Sequence, residues 1–338
     1  MPLEIEAPIP GPSAAAPAAG RRTDGGAILI GLVNNMPDPA LRATETQFAG
    51  LLQAASAGLA VRLRLSSFPE LPRCAEAQQH IRASYWPLQR LLDGPLDALI
   101  VTGTEPRAPR LVDEPYWQRS VELLAFARER TAASIWSCLA AHAAVQCLNG
   151  IHRHRLREKR CGVYQHGILS GHPLLAGVSA PLSMPHSRWN ELSPAALQAA
   201  GYTLLSSSAE TGADAFTRQE RSLLLFFQGH PEYEDTTLLK EYRRDVGRYL
   251  AGQHEQYPTL PCGYLCDGAE AALGAFREQA IAERSAALLE RFPYAAVAAT
   301  VRNTWRPAAV AIYRNWLAFI AAARTAAPAA QSLSLTEP

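Results

Sequence analysis

Cys138 lies in the run Ala133-Ser-Ile-Trp-Ser-Cys138-Leu-Ala-Ala-His-Ala-Ala-Val145, where an apolar, strand-like stretch stops at the sulfur. An alanine-rich, helix-forming stretch starts one residue later. At a helix N-terminus the first backbone N–H groups lack partners and the dipole favours negative charge, so a thiol placed there shifts towards thiolate. The same N–H groups can hold the oxyanion that forms when a thiolate attacks an acyl carbon. The pattern is that of a nucleophile elbow with Cys in place of Ser, without the usual flanking glycines. The local pattern also fits a buried structural thiol, because free cysteine packs as a small hydrophobe.

His230 and Glu232, in Gln228-Gly-His-Pro-Glu232, are the second informative pair. The apolar run 223–227 before them reads as a buried strand, which brings His230 out at the same sheet edge as Cys138. A thiol nucleophile needs a base to take its proton, and the base needs a third group to orient it. Alone, His-Pro-Glu also fits a loop histidine beside a surface glutamate. An elbow cysteine, a strand-end histidine and a nearby acid in one chain favour a Cys138–His230–Glu232 triad.

The elements that must position these residues alternate along the chain. Strands are predicted over 27–33, 59–65, 97–102, 133–137, 203–207 and 222–227, with helices over 40–55, 86–92, 117–130 and 236–250. Such alternation predicts an α/β fold with a doubly wound, mostly parallel sheet flanked by helices, whose ligands bind at the C-terminal strand ends. Three loops fall there: Asn34-Asn35-Met36, Gly103-Thr104-Glu105 and Cys138 itself. The stretch from Cys161 reads as antiparallel strands and turns, with Pro185-His-Ser-Arg188 in a loop after them. Residues 1–26 read as a disordered tail rich in Pro, Ala and Gly, and 27–252 as the main domain. A helical extension, with helices over 269–291 and 307–324, occupies 253–325 and packs on the core. Residues 326–338 read as a second tail.

The chain has 338 residues, a hydrophobic fraction of 48% and a net charge of +1, which gives no sign of a nucleic-acid partner. No apolar run is long enough to span a bilayer, and the start lacks the form of a secretory signal. The six cysteines suggest reduced thiols in the cytoplasm. Cys262 and Cys266 have C-x3-C spacing, but no second Cys/His pair sits nearby at zinc-ligand spacing, so no metal is expected.

Ser137-Cys138-Leu139, Lys159 before Arg160-Cys-Gly-Val-Tyr164, Pro185-His-Ser-Arg188 and Gly229-His-Pro-Glu-Tyr233 occur in one order and near-spacing. With Thr44-Glu-Thr-Gln-Phe48, Ile100-Val-Thr-Gly103, Tyr116-Trp117, Glu241-Tyr-Arg-Arg-Asp245 and Asn315-Trp-Leu317, the chain resembles the homoserine O-acyltransferases of the glutamine-amidotransferase-like fold. That resemblance implies a ping-pong transfer in methionine biosynthesis, with no bound cofactor and succinyl- or acetyl-coenzyme A as co-substrate. It implies that Cys138 carries the acyl group, His230 is the base and Glu232 orients it. Backbone N–H groups of Leu139 and Thr104 would hold the oxyanion, and Lys159, Ser187, Arg244 and, more weakly, Arg188 would bind substrate. Relatives also imply a homodimer. The position that selects the acyl group in the family is Arg107 here, neither the Gly of succinyl users nor the Glu of acetyl users. An arginine there can pair with the free carboxylate of a succinyl group, or point to solvent from an altered loop. The acceptor is L-homoserine, or L-serine or another small hydroxy amino acid by the same chemistry. A glutamine amidotransferase-like hydrolase is the alternative from another class.

Overall fold

The computed structural model describes residues 3–8 and 26–331. Strands β1 (Glu4–Ile5), β2 (Ile28–Val33), β3 (Val61–Ser66), β4 (Ala98–Val101) and β5 (Ala133–Ser137) precede Cys138. After it come β6 (His154–Ile168), β7 (Leu182–Glu191), β8 (Thr203–Leu204), β9 (Ser206–Ser208), β10 (Gly212–Ala213), β11 (Ala215–Gln219) and β12 (Leu223–Phe227). Among the described residues they build an eight-stranded sheet, ordered β1-β3-β2-β4-β5-β12-β11-β8, and a four-stranded sheet, ordered β10-β9-β6-β7. In the large sheet the strands from β1 to β12 in that order are parallel, and β11 and β8 pair antiparallel. The α/β, mostly parallel architecture is the one the alternation predicts.

Strands buried on both faces explain why the runs read as continuously apolar. Ile28, Ile30 and Leu32 of β2 join a core with α1 (Asp38–Ala55) and α10 (Arg306–Gln331). Leu29 and Val33 face the opposite way, into a core with α3 (Leu88–Asp93), α4 (Trp117–Arg130), α5 (Leu139–Asn149) and α6 (Pro194–Ala199). A third cluster gathers α7 (Thr237–Leu250), α8 (Asp267–Ala282) and α9 (Tyr294–Ala298) beside Cys161 and Val163 of β6.

Several elements differ from the sequence reading. Glu4–Ile5 is an edge strand on β3, tied by Arg62 to Glu4 at 3.0 Å and Arg64 to Glu6 at 2.9 Å, not part of a disordered tail. Residues 9–25 lie outside the described ones, as do 332–338, while residues 326–331, read as part of the second tail, continue α10. The helix α2 (Ala75–Ser84) was not predicted, since its residues are mostly polar and it buries Ala77 alone. Pro185-His-Ser-Arg188 is not a loop but the middle of β7, where Cys161 pairs with Ser187 and Val163 with Pro185. The proline, which has no N–H to donate, is tolerated because β7 is the edge of its sheet. The helix expected over 269–291 breaks after Ala282, where Arg284 folds back to donate to the Tyr249 carbonyl at 2.9 Å. A short 3-10 turn, Ala286–Arg291, follows.

Candidate active site

β5 ends at Ser137 and α5 begins at Leu139, so Cys138 makes the strand-to-helix turn in one residue. It does so at φ 54° and ψ −114°, a conformation that non-glycine residues rarely adopt and that costs about 1–3 kcal/mol. Two bonds pin it there. Its N–H donates to the Phe227 carbonyl at 2.8 Å, and its own carbonyl accepts from the His142 N–H at 3.3 Å.

The loop after β4 closes over the start of α5. A Cβ on Gly103 would stand 2.9 Å from the Leu139 nitrogen and 2.9 Å from the Leu139 Cβ, so a residue without a side chain is required. The Thr102 hydroxyl fixes this loop by donating to the Gly103 carbonyl at 3.0 Å and accepting from the Asn35 N–H at 2.8 Å. Asn34 and Asn35 are thus buried braces: Asn34 donates to the Leu41 carbonyl, and Asn35 accepts from the Phe68 N–H.

β12 lies parallel to β5 with Phe227 opposite Ser137, which delivers His230 to the edge where Cys138 turns. The His230 N–H donates to the Pro185 carbonyl at 2.8 Å, and Nδ1 bonds Glu232 Oε1 at 2.8 Å. The ring stacks on Tyr233 with centroids 4.3 Å apart, and the Cys138 sulfur is near enough to influence its charge. Burial opposes the imidazolium, yet Glu232 and Cys138 together hold the His230 pKa well above its ordinary value. His142, one turn after Cys138, is no rival base. Burial pushes its pKa down to about 3, and its Nε2 bonds Gln228 Oε1 at 3.0 Å.

Lys159, Ser187 and Arg244 come together at a second polar cluster. Lys159 Nζ donates to Asp245 at 2.6 Å and lies 3.8 Å from Glu241, while the Ser187 hydroxyl donates to Glu241. Arg244 donates from Nε and Nη2 to Asp245, at 3.0 and 2.9 Å. The Tyr233 hydroxyl reaches Glu241 Oε1 at 2.7 Å, so one aromatic ring joins this cluster to His230. Burial works against a charged Glu241, but Lys159, Arg244 and the two hydroxyl donors keep its carboxyl below the ordinary range. Roles for Tyr233, Glu241 and Asp245 were missed in the sequence. The i, i+4 spacing of Glu241 and Asp245 around Arg244 is the signal that could have found two of them.

Arg188 is a correction. Its guanidinium turns inward, to His186 Nδ1 at 3.2 Å, the Asn190 carbonyl at 2.7 Å and the Thr211 carbonyl at 2.6 Å, and so braces β7 instead of facing a ligand. Arg107 is exposed on its loop, and its N–H and that of Ala108 donate to Glu114 Oε1 at 2.7 and 2.8 Å. Cys262 and Cys266 join no cluster of three or more metal-ligating side chains among the described residues. The group that does form, His166, His186 and Asp214, is fully buried. Arg188 can only donate, so His186 keeps its proton on Nε2, which faces Asp214 Oδ1 at 3.5 Å. A cation at Nε2 would force two donors against each other, and the group instead braces the end of β12. Asp214 Oδ1 accepts the Gly229 N–H at 3.1 Å, next to His230.

Residues 13–327 match the family described as homoserine O-succinyltransferase. A homoserine O-succinyltransferase of Rhodopseudomonas palustris is 46% identical over 294 residues, covering 87% of this chain and 88% of the relative. The chain belongs to the homoserine O-succinyltransferase family. As a member of that family it is an acyltransferase. A second homoserine O-succinyltransferase, from Bradyrhizobium japonicum, is 44% identical over 317 residues, covering 91% of this chain and 95% of the relative. A solved glutamine amidotransferase from Methylobacillus flagellatus superposes with a TM-score of 0.48 at 14% identity, over 87% of this chain and 94% of that one. Among the described residues of this family member, no helix is long and apolar enough to cross a membrane.

Proposed function

We propose that this protein transfers an acyl group, succinyl in preference to acetyl, from an acyl-coenzyme A to the hydroxyl of L-homoserine, in the route to methionine. Cys138 and His230 at the ends of the neighbouring parallel strands β5 and β12, with His230 bonded to Glu232, carry this reading. The Cys138 thiol gives its proton to His230, and the thiolate attacks the thioester carbon. A new carbon–sulfur bond forms as the bond to coenzyme A breaks, and the departing thiolate takes the proton from His230. N–H groups of Leu139 and Thr104 stabilise the oxyanion in between. In the second half His230 removes the acceptor hydroxyl proton. The oxygen bonds the acyl carbon, the bond to Cys138 breaks, and the proton returns to Cys138.

Arg244 is the group suited to the acceptor carboxylate. Its side chain is 43% exposed, and a guanidinium bound to Asp245 keeps further donors for a second carboxylate. Lys159 and Ser187 flank the same position through Glu241 and Asp245. The test follows coenzyme A thiol release from succinyl-coenzyme A with L-homoserine, with L-serine and with neither. Release fastest with L-homoserine, lost in Cys138→Ala, is the expected result. Faster release with L-serine would replace the acceptor. Ammonia release from glutamine without thiol release would replace the reaction class.

A further inference from the structure

His142 is a buried imidazole that the proton transfers at Cys138 do not use. Two backbone bonds fix the amide of its partner Gln228. Nε2 donates to the Ala213 carbonyl at 2.6 Å, and Oε1 accepts the Leu192 N–H at 2.9 Å. The His142 ring meets Oε1 at 3.0 Å, so it carries its proton on Nε2 and donates. Nδ1 is then a bare acceptor, buried with no hydrogen-bond partner among the described residues. Burial, which pushes the pKa down to about 3, keeps the ring neutral. A leucine in its place would orphan no polar atom, since Oε1 would keep the Leu192 donor. Stability alone therefore does not call for an imidazole here.

What the ring supplies is closure of a bonded circuit. The Cys138 N–H donates to the Phe227 carbonyl at 2.8 Å, and the Cys138 carbonyl accepts the His142 N–H at 3.3 Å. The His142 side chain then donates to Gln228, the residue after Phe227. Among the described residues this is the side-chain hydrogen bond that joins α5 to the turn carrying His230. Asp214 holds the far side of that turn, its carbonyl accepting the Gln228 N–H at 2.9 Å and its Oδ1 the Gly229 N–H at 3.1 Å. His230 follows directly. A residue strained as Cys138 is, at φ 54°, keeps its conformation only where its surroundings over-determine it.

Resting on acyl transfer at Cys138, we propose that His142 and Gln228 are positioning residues that hold the Cys138 turn in register with His230. The experiment follows thiol release from succinyl-coenzyme A without acceptor, over a range of donor concentrations. Its amplitude counts the competent molecules, and its rate constant reports how fast those molecules react. In His142→Leu the rate constant at saturating donor should fall by about 10- to 100-fold, the effect of a misplacement of roughly 1 Å. The amplitude and the half-saturating donor concentration should stay unchanged. His142→Phe, which keeps a ring and drops the donor, should behave alike and serves if the leucine variant does not fold. His142→Gln, whose amide nitrogen replaces Nε2 as donor, should recover most of the rate. A wild-type rate constant in His142→Leu overturns the proposal, as does a His142→Gln no faster than His142→Leu. Amplitude lost in both the Leu and Phe variants assigns His142 to folding alone and overturns it too. A raised half-saturating concentration at an unchanged rate constant moves His142 to donor binding and overturns positioning. A wild type that releases no thiol overturns acyl transfer itself, and the proposal with it.

Discussion

The His230 ring meets the Glu232 carboxylate at 2.8 Å, and Glu232 and the Cys138 thiolate both favour its charged form. In the proposed mechanism, acylation of Cys138 replaces the thiolate with a neutral thioester. The His230 pKa therefore falls in the acyl-enzyme, and the ring becomes the base that the acceptor hydroxyl requires. Loading needs the imidazolium partner of the thiolate, so it declines as pH rises through the raised His230 pKa. Glu232→Gln removes the larger of the two charges holding that pKa up. Its high-pH limb for thiol release without acceptor should then move to lower pH, and an unmoved limb would sever Glu232 from His230. His230→Ala should slow loading by about 10²- to 10⁴-fold with the circular dichroism spectrum retained. Cys138, His230 and Glu232 were legible in the sequence because their chemistry depends on strand ends, which apolar runs mark. Tyr233 and Arg188 were not, because stacking and inward orientation depend on how the turn and β7 pack.

At the scale of elements, the site is the meeting of two strand ends and one loop. β5 and β12 were readable as buried apolar runs, and their parallel pairing sets Cys138 beside His230. β7 was not readable as a strand, since Pro185 argues against one until its place at the sheet edge is known. The Gly103 loop makes the sharpest demand. Gly103→Ala would press a methyl group against the Leu139 nitrogen, backbone that cannot rotate away. Displacing that donor should lower the rate of thiol release by about 10²- to 10³-fold, the cost of losing one oxyanion donor. A variant loading at the wild-type rate would remove Leu139 from the oxyanion site.

Over the whole molecule, the C-terminal helix is part of the main core. Tyr313 and Trp316 of α10 are fully buried, and Tyr313 stacks on Phe227, the last residue of β12, at 6.5 Å. The sequence showed an amphipathic helix there, but not which layer it covers, because a single apolar face does not name its partner. Trp316→Ala should cost about 3–5 kcal/mol, read as a lower denaturation midpoint at unchanged slope. What the layers hold in place, in the proposed mechanism, is a sulfur that carries an acyl group between two substrates. The most direct measurement is intact mass and peptide mapping after incubation with succinyl-coenzyme A and no acceptor. The wild type should gain one succinyl group on the Cys138 peptide, lose it on addition of L-homoserine, and show none in Cys138→Ala. Succinyl-homoserine formed at the wild-type rate by Cys138→Ala, or an adduct on another residue, would contradict the account.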